Sequence, residues 1–118
     1  MAARLSTHVL NTAHGCPAQG MKIQLWALRA SRRTLLKEVR TNIDGRTDEP
    51  LLAGNQLKRG QYELLFFVGD YFTTKNPRAS RIRFLDRVPV RFGIENNNAS
   101  YHVPLLVSPW AYSTYRGS

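Results

Sequence analysis

The amino-acid sequence predicts an all-β fold, a sandwich or a small barrel. Three observations carry this. Several short runs alternate apolar and polar residues with the period of two that a strand imposes. Turn-forming groups separate the runs: Gly15-Cys16-Pro17, Asp44-Gly45, Arg59-Gly60 and Glu95-Asn96-Asn97-Asn98. Only one stretch, between Gly69 and Ser80, suits a helix, and Pro77 keeps it short.

Leu5 to Leu10 opens the series of strands. Met21, Ile23, Leu25 and Ala27 then alternate with Lys22, Gln24, Trp26 and Leu28, which puts the first set on one face. Thr34 to Thr41 is a weaker candidate. Tyr62, Leu64, Phe66 and Val68 make one face of the next strand, and Leu65 with Phe67 makes the other face apolar too. A strand of that kind is central or lies at an interface. Val88 to Ile94, Tyr101 to Ser108 and Trp110 to Tyr115 complete the set. Pro89 and Pro104 fall inside strand-like runs. Proline has no N–H for a ladder, so each should mark an edge, a strand start or a bulge. At Pro104 the irregularity would fall two residues after His102.

The chain has 118 residues, the length of one domain rather than two, so residues 1–118 are expected to form a single domain. Hydrophobic residues make up 42%, enough for a core and against disorder. A lone cysteine, Cys16, excludes an internal disulfide and any multi-cysteine metal site. The longest apolar run, Leu64 to Val68, is far shorter than the roughly 20 residues that span a bilayer. The first residues lack the apolar stretch of a secretory signal, and the chain does not close on the peroxisomal Ser-Lys-Leu. A soluble cytoplasmic protein is the expectation. Seventeen basic against eight acidic residues give a net charge of +9, with thirteen of the positives from arginine. They gather in two stretches, Arg29 to Arg40 and Lys75 to Arg91. Such a field attracts anions or simply keeps the protein in solution. An RNA-recognition strand, paired Cys/His fingers and a basic heptad helix are all missing, so composition leaves nucleic acid open but unsupported.

Chemistry must come from a few residues. His8 and His102 each sit in mid-strand, and His14 precedes a glycine in a loop. Histidine trades protons near neutral pH, yet any of the three could equally be a hydrogen-bonded structural residue. Arg46 follows the tight turn Asp44-Gly45. It is either held in a fixed direction, as a donor fork for oxygen atoms, or left in solvent. Trp110, Tyr112 and Thr114 alternate with Ala111, Ser113 and Tyr115, which predicts an ordered terminal strand; a frayed edge is the other reading. Metal-ligand spacings, a Gly-x-Ser-x-Gly elbow and a phosphate-cradling loop do not occur, and Cys16 has only a turn around it.

Read together, these segments resemble the transthyretin-related family of 5-hydroxyisourate hydrolases. The matching stretches are Leu5-Ser6-Thr7-His8-Val9-Leu10 with Gly15-Cys16-Pro17-Ala18, and Thr41-Asn42-Ile43-Asp44-Gly45-Arg46. Phe84 to Ile94, Tyr101 to Pro109, and the terminal Tyr115-Arg116-Gly117-Ser118 complete them. The resemblance spans nearly the whole chain, and the final tetrapeptide separates the hydrolases from transthyretin itself. Asn11 departs from the Asp the family often carries, which touches a local hydrogen bond rather than the chemistry. Thr73 to Arg83 has no clear counterpart and is expected to be helix and loop.

The resemblance implies a transthyretin-like sandwich of two four-stranded sheets with one short helix. It implies a homotetramer with sites at the dimer–dimer interface, and hydrolytic opening of the six-membered ring of 5-hydroxyisourate. His8, Arg46 and His102 would be catalytic. Tyr115, Arg116, Gly117 and Ser118 would bind substrate. No metal or organic cofactor is expected, nor a nucleic-acid or membrane partner. The alternative is a transthyretin-like carrier that binds a small ligand without catalysis.

Overall fold

A computed structural model describes residues 2–76, 78 and 81–118. Among them the strands form two sheets. The first is built on β1 (Arg4–Asn11) and β8 (Tyr101–Val107), which lie side by side and parallel. β9 (Tyr112–Thr114) adds antiparallel to β8. On the far side of β1, two dipeptides share one strand position: β5 (Leu52–Ala53) pairs with the start of β1, and β2 (Cys16–Pro17) with its end. This sheet is thus four strands wide, as expected, although neither dipeptide is legible as a strand. The second sheet runs β4 (Arg32–Arg40), β3 (Lys22–Arg29), β6 (Gly60–Phe66), β7 (Val88–Ile94), all antiparallel.

Alternation within each strand builds the core. β1 buries Leu5, Thr7, Val9 and Asn11 and turns Ser6, His8 and Leu10 to the outer side. β3 buries Ile23, Leu25 and Ala27 against Leu64 and Phe66 of β6 and Leu105 and Val107 of β8. β6 is central, as its two apolar faces predict. Its strand stops at Phe66, however, and Val68 opens helix α1 (Val68–Lys75) instead of extending the strand face. The helix seats Tyr71 and Phe72 in the core, with Asp70 in its first turn and Lys75 in its last, each at the end where the helix dipole favours it. Pro77, expected to limit the helix, and Ser80 lie outside the described residues.

The outer face of β6 is covered by charge. Glu63 is only 3% exposed. It accepts from Arg33 Nη2 of β4 at 2.8 Å and from Arg91 Nε of β7 at 3.0 Å. Arg33 also stacks on Trp26, 4.1 Å from the ring centroid. Phe67 is flanked in the same way by Lys22 and Arg87. Part of the basic excess therefore clamps neighbouring strands together and shields aromatic surface.

Pro89 lies on β7, an edge, as the chemistry of proline demands. Pro104 does not: β8 is an inner strand. The carbonyls of His102 and Pro104 both face the tail, accepting from Gly117 N and Thr114 Oγ1. By alternation the missing N–H of Pro104 faces the same way, so the parallel ladder to β1 stays intact. The gap falls on the β9 side. Pairing runs from Val107↔Tyr112 to Leu105↔Thr114, breaks opposite Pro104, and resumes in the same register at His102↔Gly117.

Candidate active site

The parallel register sets Ser6 beside His102 and His8 beside Pro104. All four project from the outer face of the first sheet, and His8 lies about 7 Å further along the strand than Ser6. Ser6 Oγ is 2.8 Å from His102 Nδ1. His8 Nε2 is 2.9 Å from the Asp44 carbonyl oxygen. A carbonyl can only accept, so Nε2 of His8 carries the hydrogen, and Nδ1 of a neutral His8 is left with the lone pair.

Arg46 reaches this face through its turn. Asn42 Oδ1 accepts from the N–H groups of Asp44 and Arg46 at 2.9 and 3.2 Å, while Gly45 N donates to Asn42 O at 2.9 Å. Val9 N donates to Gly45 O at 2.8 Å and so hangs the turn on β1, one residue past His8. Gly45 has φ 75°, and a Cβ there would lie 2.4 Å from the Val9 carbonyl oxygen. Only glycine permits both the conformation and the approach. The residues on either side are thereby fixed: Asp44 presents its carbonyl to His8, and Arg46 enters the cavity beside His102.

That cavity, about 420 Å³ in volume, is lined by Arg4, Ser6, Arg46, Ser100, Tyr101, His102 and Ser118. Its side chains include two guanidinium groups and no carboxylate, while Ser118, the last residue, brings the main-chain carboxylate; the balance suits a carbonyl-rich or anionic molecule. Burial holds the His102 pKa below the usual histidine value, and the positive Arg46 and then His8 add to the effect. His102 is therefore a neutral imidazole near pH 7, able to take a proton.

The tail divides at Pro104. Gly117 N donates to His102 O at 2.7 Å, and the residue packs against the ring edge opposite Ser6. Ser118 lines the same cavity. Tyr115 and Arg116 instead line a separate cleft beside Phe92 and Val103. There Arg116 stacks on Tyr101, 4.2 Å from the ring centroid. Within one chain the predicted residues His8, Arg46, His102, Gly117 and Ser118 share a face, and Tyr115 and Arg116 stand apart from the cavity.

His14 is structural. Its Nδ1 accepts from Asn11 Nδ2 at 2.8 Å, and the same amide donates to Tyr71 Oη at 3.1 Å. Only the amide of Asn11 can donate both bonds; an ionised Asp could donate neither. Cys16 is exposed on β2. Sequence reasoning passed over Arg4, Ser100 and the Asp44 carbonyl, and it quoted Ser6 without a role. For Ser6 a signal existed: it stands two residues before His8, hence on the same strand face.

Fold and site define a transthyretin-type sandwich that carries a histidine–arginine centre on its outer face. The chain belongs to the HIUase/Transthyretin family, whose match covers residues 5–117. It is 51% identical over 117 residues to 5-hydroxyisourate hydrolase 2 of Rhizobium meliloti, covering 99% of this chain and 98% of that one. A solved Klebsiella pneumoniae 5-hydroxyisourate hydrolase superposes with TM-score 0.78 at 32% identity, covering 98% of this chain and 99% of that one. A solved (S)-allantoin synthase gives TM-score 0.92 at 49% identity; the match covers 99% of this chain and 44% of that longer one.

Proposed function

We propose that this chain is a 5-hydroxyisourate hydrolase. It opens the six-membered ring by adding water across an amide-like bond, giving 2-oxo-4-hydroxy-4-carboxy-5-ureidoimidazoline. The observation that carries the reading is the convergence of Ser6, His102 and Arg46 on one polar cavity, with His8 beside it on the same face. Names of relatives about half identical over nearly the full length support it.

Hydrolysis makes two demands: water must lose a proton as it attacks, and the carbonyl oxygen must be stabilised as it gains charge. His8 Nδ1 and His102 Nε2 are the imidazole nitrogens left to receive protons. Arg46 offers N–H groups to the carbonyl oxygen. Water oxygen bonds to the carbonyl carbon, the carbon–nitrogen bond breaks, and the proton held by imidazole passes to the departing nitrogen. One water is consumed and the imidazole is regenerated. Polar walls of this kind suit a heterocycle rich in oxygen better than the apolar ligand of a carrier.

The functional unit in this reading is a homotetramer. β7 and β9 leave two open edges on the same side of the sandwich, and strand edges invite pairing with another copy. Half-buried Leu10 and Leu106 lie beside the catalytic groups on the outer face, where a second dimer would close the cavity and bring in groups from a neighbouring chain. The test is to generate 5-hydroxyisourate from urate in place and follow its ultraviolet decay with and without the protein. Parent protein should accelerate the decay, while His102→Ala and Arg46→Ala, still tetrameric by sedimentation, should lose about 10²-fold or more. Folded variants that match the parent rate would refute the assignment.

A further inference from the structure

Ser6 has no part in the mechanism above, yet its hydroxyl makes the hydrogen bond to the His102 ring. We propose that Ser6 is a positioning residue that sets which nitrogen of His102 meets the substrate and keeps that imidazole basic in both directions of proton transfer. The inference rests on the hydrolase reading of the site.

Its basis is geometric. The ring is gripped on two edges. Ser6 Oγ lies 2.8 Å from Nδ1. Across the ring, Gly117 sits so close that an added Cβ would fall 2.5 Å from Cδ2. With Nδ1 engaged and Cδ2 covered, Nε2 is the nitrogen left to face the cavity. A hydroxyl both donates and accepts. For Nε2 to take a proton from water, the neutral ring must carry its hydrogen on Nδ1, donated to Ser6 Oγ. The imidazolium keeps that same bond, and when Nε2 passes its proton to the departing nitrogen the ring returns to the Nδ1–H form. The ring thus gains and loses one charge at Nε2 while the bond to Ser6 is kept throughout.

The choice of a hydroxyl over a carboxylate matters. A carboxylate at this place would favour the imidazolium and hold the proton on the ring. Around His102 the charged and titratable neighbours are Arg4 and His8 on β1, Arg46 on its turn, and Tyr101 beside it, with Ser118 on the tail. No side chain in the set is acidic, and the negative charge on this face is the main-chain carboxylate of the last residue, Ser118. The neutral hydroxyl adds no further negative charge against the ring, so His102 gives up its proton more readily than it would beside a carboxylate.

Three variants of the full chain test this. Ser6→Ala should lower kcat by about tenfold to a hundredfold, the cost of a misplaced catalytic group, with KM little changed. Ser6→Thr, which keeps the hydroxyl, should return most of the loss. Ser6→Asp should move the acidic limb of the kcat profile to higher pH by about one unit or more. An unmoved limb would mean that the side chain at position 6 does not act on the histidine that titrates in the profile. A second readout needs no turnover: nitrogen-15 NMR of the histidines should show that Ser6→Ala changes the tautomer balance of His102. Parent kcat in Ser6→Ala, an unmoved limb in folded Ser6→Asp, or an unchanged tautomer balance would overturn the proposal. A parent protein without hydrolase activity would instead refute the function, and the NMR comparison would still decide the role of Ser6.

Discussion

The tail contact on His102 can be tested with a single carbon atom. Gly117→Ala would place a Cβ 2.5 Å from Cδ2 of the ring and 3.2 Å from its Cβ and Cγ. Carbon atoms rest about 3.5–4.0 Å apart, so roughly 1 Å of overlap must be relieved. Gly117 is not in the left-handed region, so the effect is one of space and not of backbone conformation. Neither partner can yield freely. Turning the ring away gives up the 2.8 Å bond to Ser6, and withdrawing the tail gives up the 2.7 Å bond from Gly117 N to the His102 carbonyl. Overpacking of this kind is typically worth about 1–3 kcal/mol. At about 1.4 kcal/mol per tenfold, that predicts a drop in kcat/KM of roughly fivefold to 150-fold. Stability should change less, because Gly117 touches no core side chain. Loss of one hydrogen bond, about 1 kcal/mol, lowers Tm by only a few degrees. Initial rates on freshly generated 5-hydroxyisourate, beside a thermal melt, measure both. A Gly117→Ala protein with parent kcat/KM would show that the tail does not hold the ring in its working place.

Two further outcomes are expected. Arg46→Gln should lower kcat/KM by about 10²–10³-fold. It should also move the acidic limb of the pH–rate profile upward, because removing a positive neighbour makes His102 easier to protonate. A lost rate with an unmoved limb would separate Arg46 from His102. On the opposite sheet, Glu63→Ala leaves the Arg33 and Arg91 guanidinium groups without the carboxylate between them. Chemical denaturation should show a loss of about 1–3 kcal/mol, while kcat per folded molecule stays at the parent value. A drop in kcat at full folding would tie the two sheets together in catalysis.

Much of the architecture was legible because period-two alternation is a local property. It places Leu5, Thr7 and Val9 inward, and by the same rule Ser6 and His8 outward. The order of strands in a sheet is not local. Ser6 and His102 are 96 residues apart and meet only through the parallel pairing of β1 with β8. No run of sequence states that neighbourhood; the family resemblance pointed to His102 and gave Ser6 no role. The dipeptides β2 and β5 escaped notice for a related reason: two residues cannot display a period. Val68 was misplaced because an apolar residue in register with Tyr62, Leu64 and Phe66 serves a buried helix start as well as a strand.

Pro104 illustrates how a correct chemical premise can support the wrong placement. Its missing N–H excludes one ladder bond, and an edge strand is the commonest way to tolerate that loss. Here an inner strand tolerates it, because the nitrogen faces a partner that is already short. β9 ends at Thr114, whose hydroxyl takes the Pro104 carbonyl as acceptor, and pairing returns only at Gly117. The interruption frees Tyr115 and Arg116 from the ladder while returning Gly117 to the His102 carbonyl. One imino acid two residues from His102 thus separates the tail into a part that grips the ring and a part that leaves the cavity. Restoring an N–H at this position would favour continuous pairing through Tyr115 and draw the tail into a regular strand.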